Sequence, residues 1–161
     1  MIPRVTGEQD RGVAVLEMAL VLPLLLLLLF GVVEFGRFLS TQHGISTAAR
    51  EAARYGFAIG PSPNGVPQYS DCDSIADAAA GLSGLGQVTD ADVSVRYIDG
   101  AGSEIIACPA TSAAIQAAVV DGDRVEVTVT RPYSPIVPLV TAAFPTTITA
   151  TDSRTIFLVT P

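Results

Sequence analysis

The sixteen-residue run Met18–Val33 contains no charged residue and consists mainly of leucine and other apolar residues. Residues 13–17 extend it to twenty-one residues, with Glu17 as the single carboxylate. A helix of that length rises about 32 Å, close to the roughly 30 Å thickness of the hydrocarbon core of a bilayer. Pro23 lies inside the run, and membrane helices tolerate a proline when neighbouring groups satisfy the freed carbonyl. The segment therefore predicts a transmembrane helix.

A secretory signal peptide is the competing interpretation of this segment. The apolar core of a signal peptide spans about 7–15 residues and precedes a small-residue cleavage site. The run in this chain is longer, and residues 34–38, which follow it, offer no such site. We therefore predict a retained anchor. Its orientation stays open on charge alone, because Arg4 and Arg11 precede the span and Arg37 follows it.

Charge divides the chain into two regions. Residues 1–59 hold five arginines and five acidic residues, whereas residues 60–161 hold four arginines and eleven acidic residues, which accounts for the whole formal net charge of −7. All nine cationic residues are arginines. So acidic a chain is a poor nucleic-acid ligand, because that binding depends on neutralising phosphates. We expect an acidic, water-facing domain and no nucleic-acid partner.

The helical pattern continues beyond the apolar run. Small residues recur at i, i+3 and i+4 spacing through Ile45–Ala53, a pattern that we call the alanine stripe. Glu34 with Arg37, and Glu51 with Arg54, form i,i+3 pairs on the polar side. A folded domain or a partner helix can approach closely on a stripe of small side chains.

One long helix is predicted from about residue 13 to residue 57. Gly56 and the Gly60-Pro61 pair are its stop signals. We divide it into a transmembrane half, residues 13–35, and an extracytoplasmic half, residues 36–59. Residues 60–161 then form the acidic extracytoplasmic domain.

That domain shows short alternating segments and two short helical patterns. The pattern Ser74–Asp77 fits a capping box at the start of the first of these helices, and the last strand reads as broken near Asp152-Ser153. The predicted strands cover residues 92–99, 104–108, 124–130 and 147–159, and the second short helix covers residues 111–120. This order predicts an α+β fold, with a small antiparallel sheet of about four strands and one or two short helices, laid against the projecting half of the long helix.

Cys72 and Cys108 are the two cysteines, and His43 is the single histidine, located in the long helix. A four-ligand zinc site is not available from this set, and a C-x-x-C redox pair is absent. In an extracytoplasmic domain, a Cys72–Cys108 disulfide is the natural interpretation. Two buried free thiols are the alternative.

Catalysis has little support in the sequence. His43 lies on the projecting helix, from which it would have to reach a nucleophile. Asp71, Asp73 and Asp77 lack the spacing of an EF-hand loop, so helix capping is the better interpretation than cation binding. We expect no enzyme activity, no cofactor and no metal.

Glu17 requires an explanation, because a carboxylate at the centre of a spanning helix costs roughly 2.5–3.5 kcal/mol. Either it lies at the interface and reaches the headgroups, one turn from Arg11, or it has a partner within the membrane. The residue pattern alone leaves both possibilities open.

Residues 11–17, Arg-Gly-Val-Ala-Val-Leu-Glu, followed by the apolar run, resemble the class III signal of type IV pilin-like proteins. This resemblance implies that a prepilin peptidase cuts between Gly12 and Val13 on the cytoplasmic face and releases residues 1–12 as a leader. It also implies that Glu17 becomes the fifth mature residue. Within the membrane, Glu17 would pair with the new Val13 amine of a neighbouring subunit, which satisfies two charges that lipid penalises.

A longer stretch, residues 11–56, resembles the TadE-like domain of tight-adherence (Flp) pilus systems. After the glutamate, where Flp-type signals usually carry an aromatic residue, this chain has Met18. Residues 122–139 and the Thr-rich end of the chain are similar in kind to that family's extracytoplasmic part. The matching positions are Gly12, Glu17, Pro23, Gly31, Glu34 to Arg37, and the run Ala48 to Arg54 with Arg50, Glu51 and Arg54.

The resemblance implies a non-catalytic minor pilin or pseudopilin that takes part in pilus assembly. Such a protein is a single-pass protein of the bacterial inner membrane, with its N-terminus in the cytoplasm and its domain outside. Its partners would be other pilin subunits, the assembly machinery and the prepilin peptidase. We expect assembly through helix packing in the membrane and along the alanine stripe. The alternative is a membrane-anchored extracytoplasmic binding module that never enters a filament.

Overall fold

The computed structural model describes residues 8–81, 87–136 and 144–158. Its first element, α1, is a single helix of 49 residues, Glu8–Gly56. At 1.5 Å per residue it is about 73 Å long. The helix begins before the predicted residue 13 and ends at the predicted stop Gly56, and Pro23 lies within it without ending it. The prediction of one long N-terminal helix is confirmed.

The rest of the described chain forms a four-stranded antiparallel sheet with short helices. The strand order is β2-β1-β3-β4, so β2 and β4 are the edge strands. The elements are α2 (Cys72–Gly81), β1 (Val93–Ile98), β2 (Glu104–Ala107), α3 (Ser112–Ala118), β3 (Arg124–Pro132) and β4 (Thr147–Thr155). The α+β prediction, with four strands and two short helices, is confirmed.

Two local predictions were wrong. Helix α2 begins at Cys72, and its cap is the carboxylate of Asp71, which accepts a hydrogen bond from the Ser74 backbone N–H at 3.2 Å. Ser74 is therefore inside the helix instead of capping it. Strand β4 continues through Asp152 and Ser153, because both pair in register with residues of β3. Cross-strand pairing here overrides the weak strand preference of Asp and Ser.

The alanine stripe is the centre of the core. Ile45 and the four alanines of the stripe are at most 1% exposed, and Val125, Val127 and Val129 of β3 are fully buried. Small side chains let the sheet lie close to the helix. At Gly56, an added Cβ would lie 3.2 Å from side-chain atoms of both Ile75 and Val125. The folded domain thus covers the stripe, and the expectation that a partner helix packs along it was wrong.

Cys72 and Cys108 form a disulfide, with their Cα atoms 5.9 Å apart. The bridge joins the first residue of α2 to the residue after β2. It accounts for both cysteines of the chain. The disulfide interpretation is confirmed, and the alternative of two free thiols was wrong.

Candidate functional site

The N-terminal half of α1 stands apart from the domain. Its large apolar side chains between Val13 and Val33 are 40–70% exposed. The helix is long and apolar enough to cross a membrane. A surface of this kind needs an apolar environment, which lipid or other helices can provide.

Glu17 lies on this exposed half, one helical turn after Val13. Residues 12–81, 87–136 and 144–158, whose side chains the structure describes, provide it with no hydrogen bond or ion pair. A partner for this carboxylate must therefore come from outside those residues. Gly12 and Val13 are also exposed, so the predicted cleavage position is accessible along the helix.

Glu34 marks the point where α1 meets the domain. It is only 1% exposed, although it follows directly after the uncharged run. Tyr133 donates its hydroxyl proton to Oε1 at 2.6 Å, and the Ile136 backbone N–H donates to Oε2 at 3.1 Å. Arg37 completes the set with an ion pair to Oε1 at 3.0 Å. We call these four residues the Glu34 clamp.

Arg37 and Tyr133 make further contacts that hold the clamp together. The Arg37 guanidinium donates to the Ser134 carbonyl oxygen and lies 4.7 Å from the centre of the Tyr133 ring. Burial and the hydrogen bond to Glu34 raise the pKa of Tyr133 to about 12, so the phenol keeps its proton and remains a donor. The ring of Phe38 packs edge-on against Tyr133 at 5.5 Å. The clamp thereby fixes the segment after β3 to α1.

The other polar residues of the helix motif face solvent. Arg54 pairs with Glu51, and this hydrogen bond lowers the pKa of the Glu51 carboxyl. Arg50 donates to the Ser46 carbonyl oxygen within the helix. Of the motif residues predicted from sequence, Glu34 and Arg37 reach the domain, whereas Arg50, Glu51 and Arg54 form the wet side opposite the alanine stripe.

Asp71 is buried and serves the fold. Its burial would raise the pKa of the carboxyl, but hydrogen bonds from Ser62, Ser74 and Asn64 outweigh that effect and lower it. Within residues 8–81, 87–136 and 144–158, no group of three or more His, Cys, Asp and Glu residues could hold a metal ion. His43 is exposed, in a shallow groove that also contains Arg50.

Sequence reasoning missed Tyr133 and Ile136 as partners of Glu34. They lie 99 and 102 residues further along the chain, so no local periodicity connects them. The sequence offered two separate signals. One is the uncharged segment YSPI after β3, and the other is Glu34, which directly follows the apolar run.

A long exposed apolar helix followed by a small α+β domain is the arrangement of a membrane anchor with a C-terminal domain. Residues 12–54 match the family model described as TadE-like protein. This match confirms the TadE-like resemblance of that segment. The matched segment lies within α1 and stops before the sheet. No curated protein and no solved structure matches the chain.

Proposed function

We propose that this protein is a minor pilin or pseudopilin that takes part in assembling a tight-adherence (Flp) pilus, without catalytic chemistry of its own. The observation that carries the proposal is the pairing of two features within the TadE-like segment. One is the exposed apolar half of α1 with Glu17, which has no partner among the residues that the structure describes, and the other is an alanine stripe already covered by the domain. Within α1, the apolar surface left for subunit contacts is therefore the membrane half.

The proposed processing step is cleavage by a prepilin peptidase between Gly12 and Val13, which removes residues 1–12. The new amine at Val13 would lie one turn from Glu17 along the helix. Pairing of Glu17 with the Val13 amine of a neighbouring subunit removes two uncompensated charges from the apolar region. This pairing would fix the register in which the exposed halves of α1 from neighbouring subunits associate.

The proposed location is the bacterial inner membrane, crossed once, with the N-terminus in the cytoplasm. Residues 13–35 form the transmembrane half of the helix, residues 36–59 its extracytoplasmic half, and residues 60–161 the acidic domain. The Cys72–Cys108 disulfide supports an extracytoplasmic domain, because disulfides persist in oxidising compartments. Cytoplasmic cleavage of the leader requires the same orientation.

Processing is tested by co-expressing the full chain with its prepilin peptidase and determining the mature N-terminus by mass spectrometry. We expect the mature chain to begin at Val13. A chain that still begins at Met1 in the presence of active peptidase would refute the cleavage. Gly12→Leu is the matched variant and should block the cut, because it changes only the residue before the scissile bond.

Assembly is tested with Glu17→Ala in cells that produce the pilus. We expect normal cleavage but loss of the protein from sheared pili and from crosslinked pilin complexes. Glu51→Ala is the control, since it removes a carboxylate from the solvent-exposed side of the same helix. Normal piliation and normal crosslinking of Glu17→Ala would contradict the pairing.

The same experiments separate the alternative function, a membrane-anchored binding module outside any filament. That function predicts an intact leader, no dependence on Glu17 and no crosslinks to other pilins. The match to the TadE-like family favours the pilus-associated role.

A further inference from the structure

The strands of the sheet run along α1, which gives the domain a membrane-proximal and a distal end. Val125, at the start of β3, lies against Gly56 at the far end of α1. Tyr133, directly after β3, bonds to Glu34 at the near end. Nine residues of strand cover about 30 Å, close to the roughly 33 Å that the helix rises between Glu34 and Gly56. The segment after β3 therefore lies level with the end of the apolar run.

Asp99, Glu104 and Asp121 lie at the distal end, whereas Asp90 and Asp92 precede β1 toward the proximal end, where Asp92 pairs with Arg131. Asp99 follows the end of β1, where Ile98 pairs with both Arg124 and Glu104, and Asp121 stands just before β3. At the proximal end, Ser134, Pro135 and Ile136 carry no charge. The charged residues level with them, Glu34 and Arg37, are paired with each other.

Ile136 is the notable residue at the proximal end. Its side chain is 72% exposed, although the Glu34 clamp holds its backbone N–H. Val32, Val33 and Phe35, on the turn of α1 around Glu34, are also more than half exposed. The exposed apolar surface of the helix and that of the domain thus lie at one level.

We propose that this proximal end of the domain, with Ile136 at its tip, is seated in the headgroup–acyl boundary of the membrane. The inference rests on the proposed membrane anchoring of α1. Lipid is the occupant we assign, because the patch continues the apolar surface of the span at the same level and its charges are paired.

A lipid contact at Ile136 changes what the Glu34 clamp does. The clamp holds the segment after β3 against the helix at the position where the span ends. The domain is then fixed flush on the bilayer without a flexible spacer. Burying one isoleucine side chain in the boundary contributes roughly the free energy of removing its exposed apolar area from water.

The chain has no tryptophan, so the tryptophan fluorescence of a variant comes from the introduced residue alone. We would reconstitute full-length Ile136→Trp in phosphatidylcholine vesicles with and without brominated acyl chains. Tryptophan favours membrane interfaces, so we expect blue-shifted emission that brominated lipid quenches and aqueous acrylamide barely affects. Strong quenching by acrylamide without quenching by brominated lipid would overturn the inference. Protection from both quenchers would overturn it too, since protein would then cover the residue.

Two matched variants make the result specific. Phe157→Trp replaces an exposed residue near the distal end, next to Ile156, whose N–H bonds to the Asp123 carbonyl, and should report water. Leu25→Trp replaces an exposed residue within the span and should be quenched by brominated lipid. Failure at Leu25 refutes the membrane anchor itself. Quenching at Leu25 but not at Ile136 refutes only the seating of the domain.

Discussion

The two halves of α1 belong to one unbroken helix, yet they solve different packing problems. In the half before Glu34, leucines and other large apolar residues are exposed all round the helix. In the half after it, the alanine stripe is covered by the sheet and α2, and arginines face water. Side-chain size distinguishes the halves as clearly as hydropathy does.

The difference shows how each half obtains its stability. Large aliphatic side chains gain from leaving water for lipid or for other membrane helices. Small side chains bring a helix backbone close to a valine-lined strand such as β3, so that the sheet itself fills the space. The Glu34 clamp lies at the boundary between the exposed apolar half of α1 and the half that the domain covers.

Among the changes considered, removing the carboxylate of the Glu34 clamp should lower the stability of the domain most. Glu34→Ala removes the carboxylate that accepts from the Tyr133 hydroxyl, the Ile136 N–H and Arg37. We expect the free energy of unfolding of the domain to fall by about 3 kcal/mol. Urea titration of the full chain in detergent micelles, followed by near-ultraviolet circular dichroism of the tyrosines, measures it.

Glu51→Ala is the control for that experiment, because it breaks a glutamate–arginine pair of the same spacing on the exposed side. Exposed pairs contribute little, so its unfolding curve should stay close to that of the unmodified chain. Equal losses in both variants would mean that burial at Glu34 does not distinguish the two pairs.

Enlarging one alanine in each half tests the difference in packing directly. Ala52 is fully buried in the core, whereas Ala19 is exposed on the apolar half. Ala52→Leu should lower the free energy of unfolding of the domain by about 2 kcal/mol through overpacking. Ala19→Leu should leave it unchanged in the same urea titration. A domain that accepts Ala52→Leu without loss would show that the sheet is not closed on the helix.

Acid should weaken the domain through Asp71, with a smaller effect than the substitutions above. The folded-state pKa of Asp71 lies below its ordinary value of 3.8, so its contribution is present above that pH. The contribution is lost as the pH falls through the folded pKa. We expect Asp71→Asn to flatten the decline of stability between about pH 5 and pH 2.

The matched control for the acid experiment is Asp73→Asn, at an exposed position of the same helix. Its stability should follow the pH profile of the unmodified chain in thermal unfolding followed by circular dichroism. If Asp71→Asn retains the full acid dependence, other carboxyls must account for it.

Local patterns in the sequence predicted much of the fold. Periodicity placed α1 and the strongest strand, β3, and the two cysteines were joined as expected. The end of β4 was misjudged, because a pattern read within one strand does not include its partner. Asp71 was considered as a cap, but the start of α2 was placed at Ser74, since several acidic and hydroxyl residues there compete for the same position.

Of the Glu34 clamp, the sequence predicted only the residues that belong to α1. Motif positions identified Glu34 and Arg37 but not what they bind, because Tyr133 and Ile136 come to them through the return path of β3. Burial of the alanine stripe was one of two outcomes consistent with its spacing. A helix face suited to close approach does not itself specify whether a sheet or another helix will approach.

The direction of β4 has a consequence for crowding on a membrane. β4 begins next to Thr146, whose carbonyl accepts a hydrogen bond from the Tyr133 N–H at the proximal end. Near the end of the strand, Arg154 lies close to Arg54 of α1. It therefore points the same way as α1. An edge strand is a template for unwanted pairing between molecules. Copies inserted in one membrane with one orientation hold their β4 strands parallel to each other, so two β4 strands cannot join in the antiparallel manner that the rest of the sheet uses. The other edge strand, β2, runs antiparallel to β4. A shared anchor thus excludes antiparallel pairing of two β4 edges and leaves β4 of one copy with β2 of the next as the antiparallel contact between sheets.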